Sequence, residues 1–416
     1  MLLGAGSCEK ILAEYTIIPG LPNDLACLCL ACVPLPLHGL LKSVSKAWRA
    51  TFYSQFLFDL RQKWGKLEEF LCLFRDDPSL TPGEIFDPQT GAWRLIPPMP
   101  CDPYRYGLTN FVSVAVGSYL YIIGGSLFDA RSFPMDRPVA SQAVYRYDLV
   151  RCHWERRSSM INARGSFACG VYNKNTILVA GGGSRHAQFS AGGSRISSAE
   201  RYDIEKDRWI FEEEMPSARS GCVGFVVDDD FWVMGGYGIS KTVSGVLPVD
   251  EYYRGGEIFG ASSGKWRELR PMWEEGERWR LGRVAVMESK NGEPPSIFML
   301  ESFQICRYDI ASNRWKKESC LPRKVIAEPA CGLIALYGEL YVIPGFSLSE
   351  SGGVRIPRWG FSPSDSRGVR KPRRTRTSLI IQVYNPKKHK WRHVLTKPPL
   401  INPLSFPFAA MCSIRL

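Results

Sequence analysis

Histidine is scarce in this chain of 416 residues, which has only His38, His153, His186, His389 and His393. Two of them sit in or beside one hairpin near the C-terminal end and another in a helical stretch near the start. A convergent imidazole site for copper or another transition metal is therefore not expected. No Gly-x-Ser-x-Gly elbow and no Walker-type Gly-Lys-Ser loop occurs, which argues against serine-hydrolase and P-loop chemistry. The glycine-rich run at 181–194 follows a strand pattern and opens no helix, so it reads as a loop and not a phosphate cradle. Long apolar runs are missing too. The longest stretch, Leu25 to Leu41, is interrupted by Pro34, Pro36 and His38 and is too short to span a bilayer. No secretory signal or lipidation motif is read, so no membrane association is expected. The 13 cysteines form no disulfide framework and read as reduced thiols of a cytoplasmic or nuclear protein. Cys27, Cys29 and Cys32, followed by His38, are chemically suitable for zinc, but no second ligand couple accompanies them. They are expected to be buried helix residues, and no metal or other cofactor is expected.

What the chain has in quantity is 38 Gly, 29 Pro and 12 Trp, which points to many turns and to a large aromatic used repeatedly. One unit recurs six times: an aromatic residue, six residues, then Trp. It joins Phe86 to Trp93, Tyr147 to Trp154, Tyr202 to Trp209, Phe259 to Trp266, Tyr308 to Trp315 and Tyr384 to Trp391. Asp follows the aromatic in four copies, Asn in one and Gly in one. Asp and Asn suit a tight turn because their side chains cap nearby backbone N–H groups, so each unit predicts a β-hairpin. A second signature lies between units: an alternating hydrophobic run that ends in Gly-Gly, at Gly125, Gly182 and Gly236. The fourth run, SIFMLES, lacks the glycines and the fifth keeps only Gly345.

Successive Trp residues of the unit lie 61, 55, 57, 49 and 76 positions apart. Each interval accommodates four short strands and their loops, the size of a propeller blade. The expected fold is mainly β: a six-bladed propeller over 65–416, preceded by a small all-α module at 20–64 and a tail at 1–19. Residues 68–74 have no innermost partner strand before them, and the last residues, FAAMCSIRL, form a strand with no blade of their own. Pairing the two would close the ring and remove a sheet edge. The succession of Gly-Gly, Tyr-Asp, Trp, then Met160 with Arg164 and Met215 with Arg219, resembles the kelch repeat over more than four-fifths of the chain.

The N-terminal segment follows a different period. Pro22, Asn23 and Asp24 start a helix carrying Leu25, Leu28 and Cys29, which Pro34 and Pro36 break. Leu37, Leu40, Leu41, Val44, Trp48 and Phe52 continue at helical spacing, so three or more short helices are expected. Taken alone, the pattern also suits a helical cap on the propeller. The segment resembles the F-box in Leu21-Pro22 with Asp24 and Leu25, in Val33-Pro34, in Leu40, and in Val44-Ser45-Lys46 with Trp48-Arg49. That resemblance implies docking of a Skp-type adaptor, and through it a cullin, by Leu21, Pro22, Leu25, Leu28, Val33, Leu37, Leu40, Val44 and Trp48. The order F-box then kelch propeller is especially common in plants.

The net charge of +12 is concentrated: Arg355 to Arg376 holds eight basic residues against Asp365 alone, within an insertion at 346–378. This loop suits a nuclear-entry signal, an acidic partner or a solvated insertion. Nucleic-acid binding is not favoured, because no aromatic platform interleaves with the charges. Insertions at 126–142, 183–198, 237–254 and 346–378 all follow a second strand and so share one face of the expected disc. Arg105, Arg164, Arg219 and Arg280 sit in turns on that face, either to contact a target protein or to bond neighbouring blades. The expected function is that of a non-catalytic substrate-recognition subunit of an SCF-type ubiquitin ligase. The alternative is a kelch scaffold in which the helical segment is only a cap. Exposure of Leu21, Leu25, Leu40 and Trp48 favours the first, and their burial against the propeller the second.

Overall fold

Every aromatic–Trp unit folds as a hairpin, and the cause of the fixed offset is visible in its turn. In the computed structural model the two rings stand directly opposite one another in all six copies, from Phe86 and Trp93 to Tyr384 and Trp391. Their centroids lie 4.7 to 5.1 Å apart. The fifth residue after each aromatic (Gly91, Cys152, Asp207, Gly264, Asn313 and His389) takes a positive φ. The chain thus reverses in four residues and returns Trp to the aromatic's register. The Asp or Asn after the aromatic caps the turn as expected. Asp148 Oδ1, for example, accepts from the amides of Val150 and Arg151, both at 2.9 Å.

The structure describes residues 16–74, 77–100, 107–128, 139–183, 194–238, 241–243, 247–249, 251–273, 281–288, 294–301, 303–322, 331–344, 348–349, 377–399 and 410–416. The hairpins belong to six antiparallel sheets, each with four principal strands. The first contains Ala410–Arg415, Glu69–Phe74, Gly83–Phe86 and Trp93–Ile96. One edge strand is the C-terminal one, paired in register from Glu69 with Arg415 to Phe74 with Ala410. The second contains Val112–Val116, Tyr119–Ile123, Val144–Asp148 and His153–Arg157; the third Ala168–Tyr172, Thr176–Ala180, Ala199–Asp203 and Arg208–Glu212. The fourth contains Val223–Val227, Asp230–Met234, Gly256–Gly260 and Lys265–Leu269. The fifth contains Arg283–Met287, Ser296–Glu301, Gln304–Asp309 and Arg314–Cys320; the sixth Cys331–Leu336, Glu339–Pro344, Thr377–Asn385 and Lys390–Thr396.

The apolar core lies between sheets. Six clusters each span two sheets, in the order first–second, second–third, third–fourth, fourth–fifth, fifth–sixth and sixth–first. In the last of them, Leu71, Leu73 and Phe86 meet Ile334, Tyr341 and Val383. The repeated Trp adds a directed bond between neighbours. The indole N–H groups of Trp154, Trp209 and Trp266 donate to the carbonyls of Pro97, Ser158 and Glu213, at the outer end of the preceding sheet. Trp391 reaches Ser319 Oγ in the fifth sheet at 2.9 Å, and Trp93 of the first sheet reaches Thr396 Oγ1 of the sixth at 2.6 Å.

The paired glycines let adjacent sheets approach. Gly124 and Gly181 have positive φ, and a Cβ on either would lie 2.5 and 2.6 Å from the carbonyl oxygens of Arg164 and Arg219. The insertions are not all plain loops. Gly107–Thr109, Ser126–Phe128 and Val139–Ala140 form a three-stranded sheet, and Lys241–Val243 pairs with Leu247–Val249. The basic run 355–376 and most of the insertions at 183–198 and 346–378 lie outside the described residues.

Candidate functional site

Among the described residues, four short helices precede the sheets: α1 (Asn23–Ala31), α2 (Leu35–Leu41), α3 (Lys46–Phe52) and α4 (Gln55–Lys63). The expected helix boundaries change in two places. Pro36 does not break a helix but sits in the first turn of α2, where a missing N–H costs no helical bond. The continuous spacing from Leu37 to Phe52 is interrupted at 42–45, because Ser45 caps α3 by accepting from the Trp48 amide at 3.1 Å. Ser54 caps α4 in the same way, accepting from the Leu57 amide at 3.2 Å. Inside the module, Ile17, Ala26, Cys27, Leu30, Ala31, Phe52 and Leu57 form one core. Ile17 thus belongs to the module and not to a tail. Its amide donates to Asn23 Oδ1, and its carbonyl accepts the Trp48 indole N–H at 2.7 Å.

A buried arginine fastens the module together. Arg61 donates to the carbonyls of Ala31 at the end of α1 and Val33 beyond it, and to that of Lys66 beyond α4. Burial pushes its guanidinium below the usual value, and Glu68 pushes back. Glu68 also accepts the Leu35 amide at the start of α2 (3.0 Å), while its backbone pairs with Leu416 in both directions at 2.9 Å. One acid therefore ties α2, α4 and the first sheet. His38 lies on the underside of α2, its ring 4.5 Å from that of Phe52 and its Nε2 3.0 Å from the Val33 carbonyl. Desolvation holds its pKa down, at about 4, so it is neutral near pH 7. Phe58 and Leu35 join the cluster of the first two sheets, and Ser118 donates to Gln55 Oε1 at 3.1 Å. The module thus rests on the sheets through α2 and α4.

The opposite side of the module carries apolar side chains that no described residue covers. Leu40 is 71% exposed, Val44 59% and Leu25 46%; Leu21, Pro22 and Leu37 are exposed as well. Leu21 and Leu25, and Leu37, Leu40 and Val44, recur three or four positions apart. Leu28 and Val33 are half-buried, and Trp48 is a half-buried edge of the module core. Phe56 and Trp64 are exposed apolar residues not expected from the motif. Of the cysteines read as buried, only Cys27 is; Cys29 and Cys32 are exposed. Among the described residues, no group of three His, Cys, Asp or Glu side chains could hold a metal ion. None of the described helices is long and apolar enough to cross a membrane.

Arg164 and Arg219, expected either to contact a target or to bond neighbouring blades, are buried and work between sheets. The Arg164 guanidinium donates to the Gly181 and Ser198 carbonyls and pairs with Glu200, while its backbone bonds Ser141 and Gly125 of the preceding sheet's insertion. Arg219 repeats this with Gly235, Glu257 and Gly182. The acids were legible: Glu84, Glu200 and Glu257, with Gln382, occupy the position two before the repeat aromatic. Arg105 and Arg280 lie outside the described residues.

The F-box/kelch-repeat protein OR23 of Arabidopsis thaliana is 44% identical over 98% of this chain and 93% of its own length. The chain belongs to the plant F-box/kelch-repeat family. Within it, the Kelch motif matches residues 164–216, from the Arg164 strut to the end of the third sheet. The F-box/kelch-repeat protein SKIP30 of the same plant is 34% identical over 52% of this chain and 60% of its own length. A further F-box/kelch-repeat protein of that plant is 29% identical over 82% of this chain and 87% of its length.

Proposed function

We propose that this F-box/kelch-repeat chain is the substrate-recognition subunit of an SCF-type ubiquitin ligase. The observation that carries the reading is the uncovered apolar set Leu21, Leu25, Leu37, Leu40 and Val44. The module has its own core and rests on the sheets by its other side, so among the described residues nothing packs over this set. It is the surface offered to a Skp-type adaptor and, through it, a cullin. A scaffold with a helical cap would bury these leucines against the sheets. The six sheets are read as blades of one closed propeller. The cyclic order of the clusters, the Trp93–Thr396 bond and the C-terminal strand in the first sheet all support that reading.

The propeller presents a target protein to transfer chemistry that belongs to other subunits, so the chain acts by proximity and carries no catalytic group of its own. Target contact is assigned to the insertions after each second strand, with Arg105 and Arg280, in turns of the same face, as further candidates. The free thiols of the described cysteines support a cytoplasmic or nuclear location. A pulldown of the purified chain with a Skp-type adaptor, beside a Leu21→Ala/Pro22→Ala variant, tests the reading. Binding by the intact chain and loss in the folded variant are expected; no binding by the folded intact chain would leave the scaffold reading.

A further inference from the structure

A cavity of about 210 Å³ lies where the helical module meets the first two sheets. α2 and α4 form one wall. The other is built by the outer strand of the first sheet and by the turn after Asp148 in the second. Its charge is one-sided. Lys42, Arg61 and Arg94 line it and no Asp or Glu side chain does. His38, which also lines it, is neutral near pH 7.

Arg61 is committed to three carbonyls. Lys42 and Arg94 are not: among the described residues no carboxylate lies within ion-pair distance of either. What they have instead are ring faces. The Lys42 ammonium stands 3.8 Å from the Tyr53 ring centroid and the Arg94 guanidinium 5.3 Å from that of Phe70. Burial, and to a smaller extent the neighbouring Arg94, lower the Lys42 pKa, whereas the nearby Cys152 thiol raises it. Lys42 is half-buried and Arg94 exposed at the mouth of the same space, and an anion between two cations relieves their repulsion. Most of the remaining lining, with Phe58, Ile96 and Leu149, is apolar, and Ser54, Tyr147 and Cys152 add polar groups.

We propose that this junction binds a small amphiphilic organic anion. Its acidic group would lie between Lys42 and Arg94, and its ring or short chain against Phe58 and Leu149. The volume is below the ~300–1,000 Å³ of sites for drug-sized ligands, which sets the occupant at about the size of a bicyclic acid. Both walls would close on it, so occupancy stiffens the joint between the adaptor-facing module and the sheets. The inference does not depend on the ligase reading.

Isothermal titration of the full chain with naphthalene-2-sulfonate tests it, beside uncharged naphthalene-2-sulfonamide, inorganic sulfate, and the variants Lys42→Met/Arg94→Met and Leu149→Trp. The expected result is one-to-one binding of the sulfonate. The sulfonamide and the double methionine variant should each be weaker by at least ~tenfold. Leu149→Trp, which fills the cavity without touching the cations, should also bind poorly, and sulfate should not compete. Variant folding is checked by thermal unfolding midpoints. Equal affinity for the sulfonamide, or unchanged affinity in the double variant, would remove the anion requirement and overturn the proposal. So would unchanged binding by Leu149→Trp, competition by sulfate at equal concentration, or no heat from the folded wild type at about 1 mM ligand.

Discussion

Replacing Arg164 with Met is expected to destabilise the chain far more than removal of any surface charge. The guanidinium is fully buried and donates to the Gly181 carbonyl at 2.8 Å, the Ser198 carbonyl at 2.9 Å and Ser198 Oγ at 3.2 Å, besides pairing with Glu200. Methionine fills most of the volume but supplies none of these donors. Glu200 is then left in the interior with only the Ile161 and Asn162 amides, at 2.8 and 2.9 Å. Breaking a buried pair from one side costs about 3–5 kcal/mol, because the stranded charge cannot regain its hydration. Arg164→Met/Glu200→Gln removes both charges while a side-chain oxygen still accepts the two amides. Its cost falls to about 1–2 kcal/mol, that of the unserved carbonyls. The pair should therefore couple by roughly 2–3 kcal/mol in a double-mutant cycle. Lys206→Met is the control: its ion pair with Asp203 is exposed, and the loss should stay below about 0.5 kcal/mol. Urea unfolding followed by tryptophan fluorescence and circular dichroism measures the wild type, Arg164→Met, Glu200→Gln, the double variant and the control. A loss under about 1 kcal/mol for Arg164→Met, or a coupling near zero, would refute the view that the strut holds adjacent sheets together.

Leu40→Asp, at a site exposed to solvent, should change stability by no more than about 0.5 kcal/mol and lower adaptor affinity at least ~tenfold, measured by surface plasmon resonance. His38 gives the module an acid limit. Its folded pKa of about 4 lies below the unfolded value, so stability is fully present above pH 6.5 and is lost as pH falls towards 4. Between pH 7 and 5 this amounts to about 2 kcal/mol; unfolding midpoints should fall over that window in the wild type and much less in His38→Leu. Removing residues 410–416 uncovers the strand Glu69–Phe74, where Leu71, Cys72 and Leu73 are wholly buried. Insoluble protein is expected on expression, and a soluble chain with an unchanged unfolding midpoint would show that the C-terminal strand is dispensable.

The hairpins were legible because everything that makes them is local. The aromatic, its Asp or Asn, the positive-φ position five residues on and the returning Trp all lie within eight residues. Turn chemistry of that kind survives in a sequence as a fixed offset. The degenerate copy Phe259–Trp266 folds like the others because Gly264 keeps the left-handed position. The module was legible to the level of its helical period and its exposed leucines. Its subdivision was not, since the spacing from Leu37 to Phe52 stays helical across a turn set by one serine side chain. The sequence by itself therefore determined the repeat, the hairpin register and the separation of helical from β segments, because these depend on neighbours in the chain. Only the tertiary structure decided what long-range packing controls. Arg164 and Arg219 face inward because Glu200 and Glu257 await them across 36 and 38 residues. Ile17 joins the module core through Trp48, and the last strand pairs with the first sheet across more than three hundred positions. A buried charge goes where its partner is, and no local spacing records how the chain brings that partner back.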